Sequence, residues 1–309
     1  MQKKCFFCGS KKTVKDGFSN GQQRYRCRDC GRRFTDNHRI DECKLYAEYL
    51  DGKQTLTQLA VRHRVSISTI QRKLYKSRAP SLKTEPQKVV ILMDTTYWGH
   101  DFGVVAIKDA HRKNVLWRKF IYRNERIADY LEGVKYLEDN ELEIIGIVCD
   151  GLRGLIKSLG RYPVQYCQFH QVKYVRLKLT KHPESEAGKE LLDLCRFMFH
   201  TDKESFKGAF ELWREKHNDY LSERSTPDEK GRTHYLHKRL RSAFLSVQRN
   251  MDSLWVWYDH KELNIPNTNN GIEALFTDLK TKLRVHNGLS KKNREQFIDE
   301  YFAKTPNTL

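Results

Sequence analysis

The sequence predicts an α/β fold, and three observations support this prediction. Apolar runs of strand length alternate with turns and one helical pattern over residues 89–170. A helical spacing of Leu, Phe and Trp then extends over residues 171–261. Two Cys-x-x-Cys pairs lie within residues 1–40, a stretch too short to bury a core of its own. We therefore expect an α/β core with an all-helical insertion, preceded by two small amino-terminal modules.

The 309-residue chain is strongly basic, with a net charge of +18 and a pI near 9.5. Residues 1–80 contain 19 Lys and Arg but only seven Asp and Glu, so they carry +12 of that charge. A solvated basic surface explains a few units of charge, whereas this concentration predicts a nucleic-acid partner. No apolar run approaches the ~18–20 residues of a membrane span, and no signal peptide opens the chain. We expect a cytoplasmic protein with reduced cysteines and no membrane partner.

Residues 1–40 have the cysteine spacing of a zinc ribbon. Four thiolates are the soft ligand set of a closed, tetrahedral structural zinc site, and the sequence offers Cys5, Cys8, Cys27 and Cys30. Gly9 and Gly31 follow the second cysteine of each pair and allow a tight turn there. Four unrelated reduced cysteines are the alternative, which the paired spacing disfavours. The candidate phosphate contacts around the cysteines are Arg24, Arg26, Arg28, Arg32 and Arg33.

Residues 41–77 are predicted to form a helix-turn-helix DNA-binding domain, with a turn at Val65-Ser66. Ser66 or Ser68 is suited to cap the second helix. The residues predicted to face inward are Leu56, Leu59 and Ala60 in the first helix and Ile67, Ile70 and Leu74 in the second. The candidates for the DNA side are Ser68, Thr69, Gln71, Arg72 and Lys73. A plain helical hairpin is the alternative. Residues 78–88, which include two prolines, are predicted to form a linker.

The predicted core begins with three strands joined by short turns, as in an antiparallel meander. A helix and a buried strand follow, then a short strand that ends at about residue 166. The predicted strands cover 89–94, 102–109, 114–122 and 143–150, and the helix covers 126–140. Residues 89–170 therefore form the first part of the core, residues 171–261 the helical insertion, and residues 262–309 the final helices.

Three carboxylates lie where such elements begin or end. Asp94 and Asp150 each end an apolar strand, and Glu273 lies near the start of a helix after an Asn-rich segment. If the two strands are neighbours, both aspartates lie at one edge of the sheet and can share a hard cation such as Mg²⁺ or Mn²⁺. Taken singly, each Asp is typical of a turn, and Glu273 is typical of a first-turn acid favoured by the helix dipole.

Cys167 and His170 form a Cys-x-x-His pair just after the short predicted strand. A second zinc site there would need two more ligands, and no suitably spaced pair supplies them. A core cysteine beside a hydrogen-bonded histidine remains the simpler alternative. Beyond Glu273, the sequence offers three candidate phosphate contacts, which a solvated helix face would also explain: Lys280, Lys282 and Arg284.

Four segments, "LMDTTYWG", "IVCDG", "YCQFH" and "NTNNGIEALFTDLKTKLRVHNGLS", resemble the ribonuclease H-like catalytic domain of Mutator-superfamily insertion-sequence transposases. The likeness covers residues 89–302, and the amino-terminal modules resemble those of zinc-binding variants of that group. The resemblance implies that Asp94, Asp150 and Glu273 are the catalytic, magnesium-binding triad of a DDE-type enzyme. It implies that Cys167 and His170 shape the site or contact DNA beside the acids, and that Trp213 or Trp255 is an aromatic wedge of the helical insertion.

The same resemblance implies a transposase that binds the inverted-repeat ends of its element and inserts them into target DNA. Double-stranded DNA and further copies of the chain are then its partners, and the nucleoid its location. Two other functions remain open from the sequence. One is a non-catalytic DNA-binding regulator on the same scaffold, which would have no need of three carboxylates. The other is a metal-dependent nuclease without strand transfer.

Overall fold

The computed structural model describes residues 3–5, 7–19, 21–35, 40–50, 52, 54–74, 87–99, 102–286 and 288–304, apart from the side chains of Cys43 and Lys304. Contacts divide the chain into two compact units, Met1–Arg78 and Ala79–Leu309. Residues 78–86 of the predicted linker lie outside the described residues. Each unit is considered separately below.

The first unit begins with a three-stranded antiparallel sheet in the order β1-β2-β3. Its strands are β1 (Thr13–Ser19), β2 (Gln22–Cys27) and β3 (Arg33–Thr35). The described residues of this unit then form three helices, α1 (Glu42–Leu50), α2 (Leu56–His63) and α3 (Ile67–Leu74). Thr55 caps α2 through a capping box with Gln58, as the Thr-x-x-Gln pattern favours.

The second unit contains a five-stranded mixed sheet in the order β6-β5-β4-β7-β8. Its elements in chain order are β4 (Lys88–Tyr97), β5 (Gly103–Asp109), β6 (Val115–Ile121), α4 (Ile127–Asp139), β7 (Glu143–Cys149), α5 (Leu155–Ser158) and β8 (Val164–Tyr166). Strands β4, β5 and β6 pair antiparallel, which confirms the predicted meander. Strand β7 crosses back through α4 and pairs parallel to β4, and β8 pairs parallel to β7. The central strand is therefore β4.

In the described part of the chain, seven α-helices follow the sheet. They are α6 (Gln168–Leu179), α7 (Glu186–Phe197), α8 (Lys203–Ser222), α9 (Lys238–Asn250), α10 (Val256–Asp259), α11 (Asn270–Val285) and α12 (Lys291–Lys304). The α/β class with a mixed sheet is thus confirmed. Of the described helices, none combines the length and apolar composition needed to cross a membrane.

The two faces of the sheet are covered differently. Residues of alternate parity in a strand point to opposite faces, and Val89, Ile91 and Met93 of β4 pack in one apolar core with Tyr130 and Val134 of α4. Helix α11 packs against β4. The approach is close, because a Cβ added to Gly271 would lie 3.0 Å from Leu92 Cδ1. A second apolar core lies among helices α6 to α9.

Candidate functional site

The four cysteines of the first unit converge on one point. Their sulfur atoms lie within 4.8 Å of one another. Cys5 and Cys30 Sγ are 3.6 Å apart, as are Cys8 and Cys27 Sγ. A tetrahedral zinc with Zn–S bonds of about 2.3 Å places its sulfurs about 3.8 Å apart, whereas a disulfide needs about 2.0 Å. The four thiols are free of disulfides and can bind a structural zinc ion.

Matching turns hold the two cysteine pairs. Gly9 N–H donates to the Cys5 carbonyl at 3.0 Å, and Gly31 N–H donates to the Cys27 carbonyl at 3.0 Å. Both glycines have left-handed φ angles, +75° and +71°, which side chains disfavour. The repeated geometry explains why a glycine follows each pair in the sequence.

The five arginines of the ribbon differ in their freedom to contact phosphate. Arg24 Nε donates to the Asp16 carbonyl at 2.9 Å, and Arg33 Nε lies 2.6 Å from Asp16 Oδ2. Arg32 lies over the ring of Phe7. Arg26 and Arg28 are exposed and have no ion-pair partner in the described part of the chain. They are the least constrained of the five arginines.

The helical part of the first unit contains α2 and α3, joined at Arg64 in a left-handed conformation. Ser66 Oγ accepts from Thr69 N–H at 3.2 Å at the start of α3. Of the predicted inward residues, Leu59, Ala60, Ile70 and Leu74 are buried. The inward prediction for Ile67 was wrong: its side chain is 42% exposed, because the buried face of α3 begins only at Ile70.

The predicted DNA-side residues of α3 are not equivalent. Ser68 and Arg72 are exposed, whereas Thr69 and Gln71 are half-buried. Lys73 Nζ lies 3.1 Å from Glu42 Oε1 of α1, so this lysine is already paired. Ser68 and Arg72 are therefore the most accessible of the five.

Asp94 and Asp150 lie at level positions on neighbouring strands. In the parallel register of β4 and β7, Leu92 pairs with Val148. Two residues further on, Asp94 is level with Asp150, the residue directly after β7. Neighbouring strands lie about 4.8 Å apart, so the two aspartates occupy one end of the central strand pair. Asp94 is buried and Asp150 half-buried.

Glu273 reaches Asp94 from the first turn of α11. Ligand atoms of Asp94, Glu273 and His170 lie within 4.8 Å of one another. His170 Nε2 lies 3.5 Å from Glu273 Oε1. Asp150 is outside this close group among the described residues, although it lies near enough to act on Asp94. The structure thus brings together two of the three predicted acids with His170, which is not among the predicted magnesium ligands.

Burial and mutual repulsion shift the ionisation of this group. Burial raises the pKa of Asp94 to about 8, and the neighbouring Asp150 and Glu273 add to the rise. Burial also raises the pKa of Asp150, opposed by a hydrogen bond from Leu152 N–H and by Lys173. Burial lowers the pKa of His170, opposed by Glu273. Acids that raise one another's pKa values are typical of a site that holds a cation.

Three buried polar atoms near these acids have no hydrogen-bond partner in the described structure: His170 Nδ1, Asn269 Oδ1 and Glu273 Oε1. Buried polar groups are normally satisfied, so each such atom calls for a ligand, water or ion. Carboxylate and amide oxygens suit Mg²⁺, and an imidazole nitrogen also suits transition metals such as Mn²⁺. The donor set therefore fits a hydrated divalent cation.

Cys167 connects the start of α6 to the two acid-bearing elements. Its N–H donates to the Cys149 carbonyl at the end of β7 at 2.9 Å. Its Sγ accepts from the N–H of Asn269, just before α11, at 3.2 Å. Burial raises the pKa of Cys167 to about 11, so the thiol is protonated at neutral pH. The two residues of the Cys-x-x-His pair thus have different roles. Cys167 makes hydrogen bonds to backbone groups, and His170 lies with the candidate metal ligands Asp94 and Glu273.

Gln168 strengthens the same connection. Its N–H donates to the Asn267 carbonyl at 3.0 Å, and Asn267 Nδ2 donates back to Gln168 Oε1 at 3.0 Å. Gln168 Nε2 also donates to the Leu254 carbonyl at the end of the helical region. The loop before α11 is therefore fastened to α6 on both sides of residue 268.

Asn269 joins the loop to the central strand. Its side chain is fully buried, and its Nδ2 donates to the Met93 carbonyl, one residue before Asp94, at 2.9 Å. We expect Asn269→Ala to lower the free energy of unfolding by about 1–3 kcal/mol, because a buried hydrogen bond is lost. Asn270, the next residue, is exposed. We expect Asn270→Ala to change stability by less than about 0.5 kcal/mol, and urea unfolding followed by Trp fluorescence measures both.

The raised pKa of Asp94 predicts a pH-dependent stability in the absence of Mg²⁺. An unfolded Asp titrates near 3.9, and Asp94 in the folded chain near 8. Between these values the folded state binds more protons, so stability falls as pH rises from about 4 to about 8. Asp94→Asn has no such titration, so it should raise the free energy of unfolding at pH 8 by up to about 5 kcal/mol. We expect the variant to melt above the wild type at pH 8 and with it near pH 4.

All five tryptophans lie in residues 98–257, so Trp fluorescence reports the melting of the second unit alone. Added Mg²⁺ should raise the melting temperature of the wild type at pH 8 much more than that of Asp94→Asn. Equal melting temperatures of the two proteins at pH 8 without Mg²⁺ would contradict the raised pKa.

One further acid near the site was missed. Glu125 is half-buried and raises the pKa of both Asp94 and His170. It accepts a hydrogen bond from Tyr130 OH, which also lies 2.8 Å from Thr95 Oγ1, next to Asp94. No sequence pattern distinguishes Glu125 from other acids before a helix, so only the fold reveals its position.

The remaining predicted residues fall into two groups. Lys280 and Arg284 line a cavity beside α11, whereas Lys282 Nζ lies 2.8 Å from Asp278 Oδ2 and is mostly buried. Trp213 and Trp255 are both buried in the core of the helical region. Neither tryptophan is accessible as a wedge in this conformation.

No protein-family model and no curated protein matches the chain.

Proposed function

We propose that the chain is a DDE-type DNA transposase with a ribonuclease H-like core, similar to those of the Mutator superfamily. It would bind the inverted-repeat ends of its element, then cleave and transfer DNA strands with Mg²⁺ or Mn²⁺. One observation gives this proposal its main support. Asp94 and Asp150 are in register on the neighbouring parallel strands β4 and β7, and Glu273 of α11 lies beside Asp94. The strand order, with three antiparallel strands followed by two parallel ones, supports the same core.

The chemistry divides between the cation and the chain. A bound divalent cation activates a water or 3′-hydroxyl and stabilises the leaving oxygen of a phosphodiester. Asp94, Glu273 and His170 would hold one cation, and Asp150 would complete the site from the neighbouring strand. Burial excludes water around Asp94, which strengthens each electrostatic contact there. Because burial lowers the pKa of His170, its ring is neutral near pH 7 and offers a lone pair.

The first unit would supply DNA binding. Its zinc-binding module exposes Arg26 and Arg28, and α3 exposes Ser68 and Arg72. These residues are suited to phosphate contact and to base reading, respectively. Self-association on paired ends follows from the resemblance, and the nucleoid is the corresponding location.

The test is a cleavage and joining assay with the purified full-length chain. The substrate is labelled duplex from the DNA that flanks its coding sequence, with Mg²⁺ or Mn²⁺ and a supercoiled target plasmid. We expect strand cleavage that needs the metal, and joining of the label to the plasmid. Cleavage without joining would show the nuclease alternative, and binding without cleavage would show the regulator. Either result would overturn the transposase proposal.

A further inference from the structure

A cavity of about 460 Å³ lies between the β4–β5 turn and the far end of α11, within the second unit. Its lining includes Tyr97, Trp98, Lys280, Leu283, Arg284 and Arg294, and no described lining residue is an acid. The volume falls in the range of ordinary ligand pockets, about 300–1,000 Å³. It is larger than a single phosphate contact on a flat surface requires.

The cavity combines free cations with an aromatic wall. Lys280, Arg284 and Arg294 make no ion pair with any described acid. Lys280 Nζ lies 6.0 Å from the centre of the Trp98 ring, so these two side chains border the same space. Trp98 Nε1 is buried and has no acceptor among the described residues. A donor without an acceptor, among unpaired cations, indicates an anionic ligand with acceptor oxygens.

The cavity is lined by residues of the same two elements that carry Asp94 and Glu273, β4 with its turn and α11. On α11, Glu273, Lys280 and Arg284 are spaced by seven and four residues, which places them on one helix face. On the other wall, Asp94 and Trp98 are four residues apart along β4 and its turn. Lys280 thus lies about 10 Å beyond Glu273, and Trp98 about 13 Å beyond Asp94. The acid site and the cavity share the same two walls.

We propose that this cavity binds one whole nucleotide, displaced from the stack, of the DNA strand held by the acids. Its phosphate would contact Lys280, Arg284 and Arg294, and its base would lie against Trp98 and Leu283. At about 3.4 Å per stacked nucleotide, the position is about three to four nucleotides from the scissile phosphate. Holding a displaced nucleotide fixes the register of the strand relative to the acids. This inference rests on the proposed function for the identity of its ligand.

The test couples one chemical change in the DNA with one change in the protein. The probe is a fluorescent duplex from the DNA that flanks the coding sequence, bound by the full chain in Ca²⁺ without cleavage. A neutral methylphosphonate, or an abasic site, is moved along the strand. At one position, we expect methylphosphonate to weaken binding by wild type about tenfold, and Lys280→Ala to lose that effect. At the same position, the abasic site should weaken wild type but not Trp98→Ala.

Lys282→Ala is the matched control, since it removes the same charge from the same helix but from a lysine already paired with Asp278. It should respond to both DNA changes as wild type does. Trp98→Phe keeps an aromatic ring without the N–H, so it should keep the abasic effect. Trp fluorescence melting checks that each variant is folded. Contacts made by the first unit are common to all variants and cancel in the comparison.

The proposal would be overturned if Lys282→Ala abolished the methylphosphonate effect as fully as Lys280→Ala does. Methylphosphonate coupling without abasic coupling would also overturn it, because that result describes a phosphate contact and no bound base. The readout is binding, so it is separable from catalysis. If the chain shows both couplings but never cuts DNA, the nucleotide-binding cavity is supported and the transposase proposal is wrong. If the chain cuts DNA but shows neither coupling, the enzyme proposal is supported and the nucleotide-binding cavity is wrong.

Discussion

Replacing Asp94 with Asn is expected to reduce metal-dependent DNA cleavage by about a thousandfold or more, with DNA binding unchanged. Asn preserves the size of the side chain but offers no negative charge to a cation. Ligand atoms of Asp94 lie within 4.8 Å of those of both Glu273 and His170, and Asp94 is the most buried of the three residues. Its loss therefore removes the member that the rest of the site surrounds. The measurement is the rate of nicking of labelled duplex under saturating Mg²⁺.

Asp109→Asn is the matched control for that experiment. Asp109 is also buried and lies at the end of a strand, β5. Its Oδ1 accepts from His111 N–H at 2.8 Å and Arg112 N–H at 3.0 Å, so it shapes a turn. An Asn oxygen can accept the same bonds, and we expect normal cleavage. Cleavage by Asp94→Asn at the rate of Asp109→Asn would remove the acid site from the mechanism.

Residues that hold one cation are also expected to be non-additive. Once Asp94→Asn has emptied the site, Glu273→Gln has little left to remove, so the double variant should cleave about as slowly as the single one. If Glu273 acted elsewhere, the two losses would multiply. The double variant therefore tests whether the two acids act in one metal centre. The single variants test only whether each acid is needed for cleavage.

Local pattern was enough to predict the elements that carry the acids. The apolar runs before Asp94 and Asp150 predict strands, and β4 and β7 end within three residues of the predicted ends. The polar, Asn-rich segment before Glu273 predicts a helix start, and α11 begins at Asn270. The prediction that both aspartates share one sheet edge requires β4 and β7 to be neighbours, and their parallel pairing meets that condition.

What sequence reasoning missed depends on contacts between distant segments. Asn269 is a favourable N-cap residue, but its side chain does not cap α11 and instead reaches the Met93 carbonyl, 176 residues away. The sequence presents His170 as half of a Cys-x-x-His pair, whereas its close neighbours in the structure are Asp94 and Glu273. Periodicity reports which face of an element is buried and is silent on which residues meet across elements.

Removal of zinc, or Cys27→Ser, is expected to unfold the ribbon and abolish its contribution to DNA binding, with the second unit still folded. The only described apolar cluster of the ribbon is Cys5, Cys27 and Phe34, with Tyr25 against it. Two of its members, Cys5 and Cys27, are themselves candidate zinc ligands. Zinc binding in comparable small modules supplies about 10–16 kcal/mol at pH 7. Zinc content, hydrogen exchange over residues 3–35 and Trp fluorescence separate the two units.

Cys195→Ala provides the comparison that isolates the metal from thiol loss in general. Cys195 is a fully buried thiol in the helical core of the second unit. Its replacement should keep one zinc per chain and full protection of the ribbon, while costing some stability of the second unit. Zinc retained by Cys27→Ser, or a zinc-free ribbon that still resists exchange, would show that its strands hold together without a metal. Because the described part of the ribbon has almost no other buried apolar surface, we expect the opposite result.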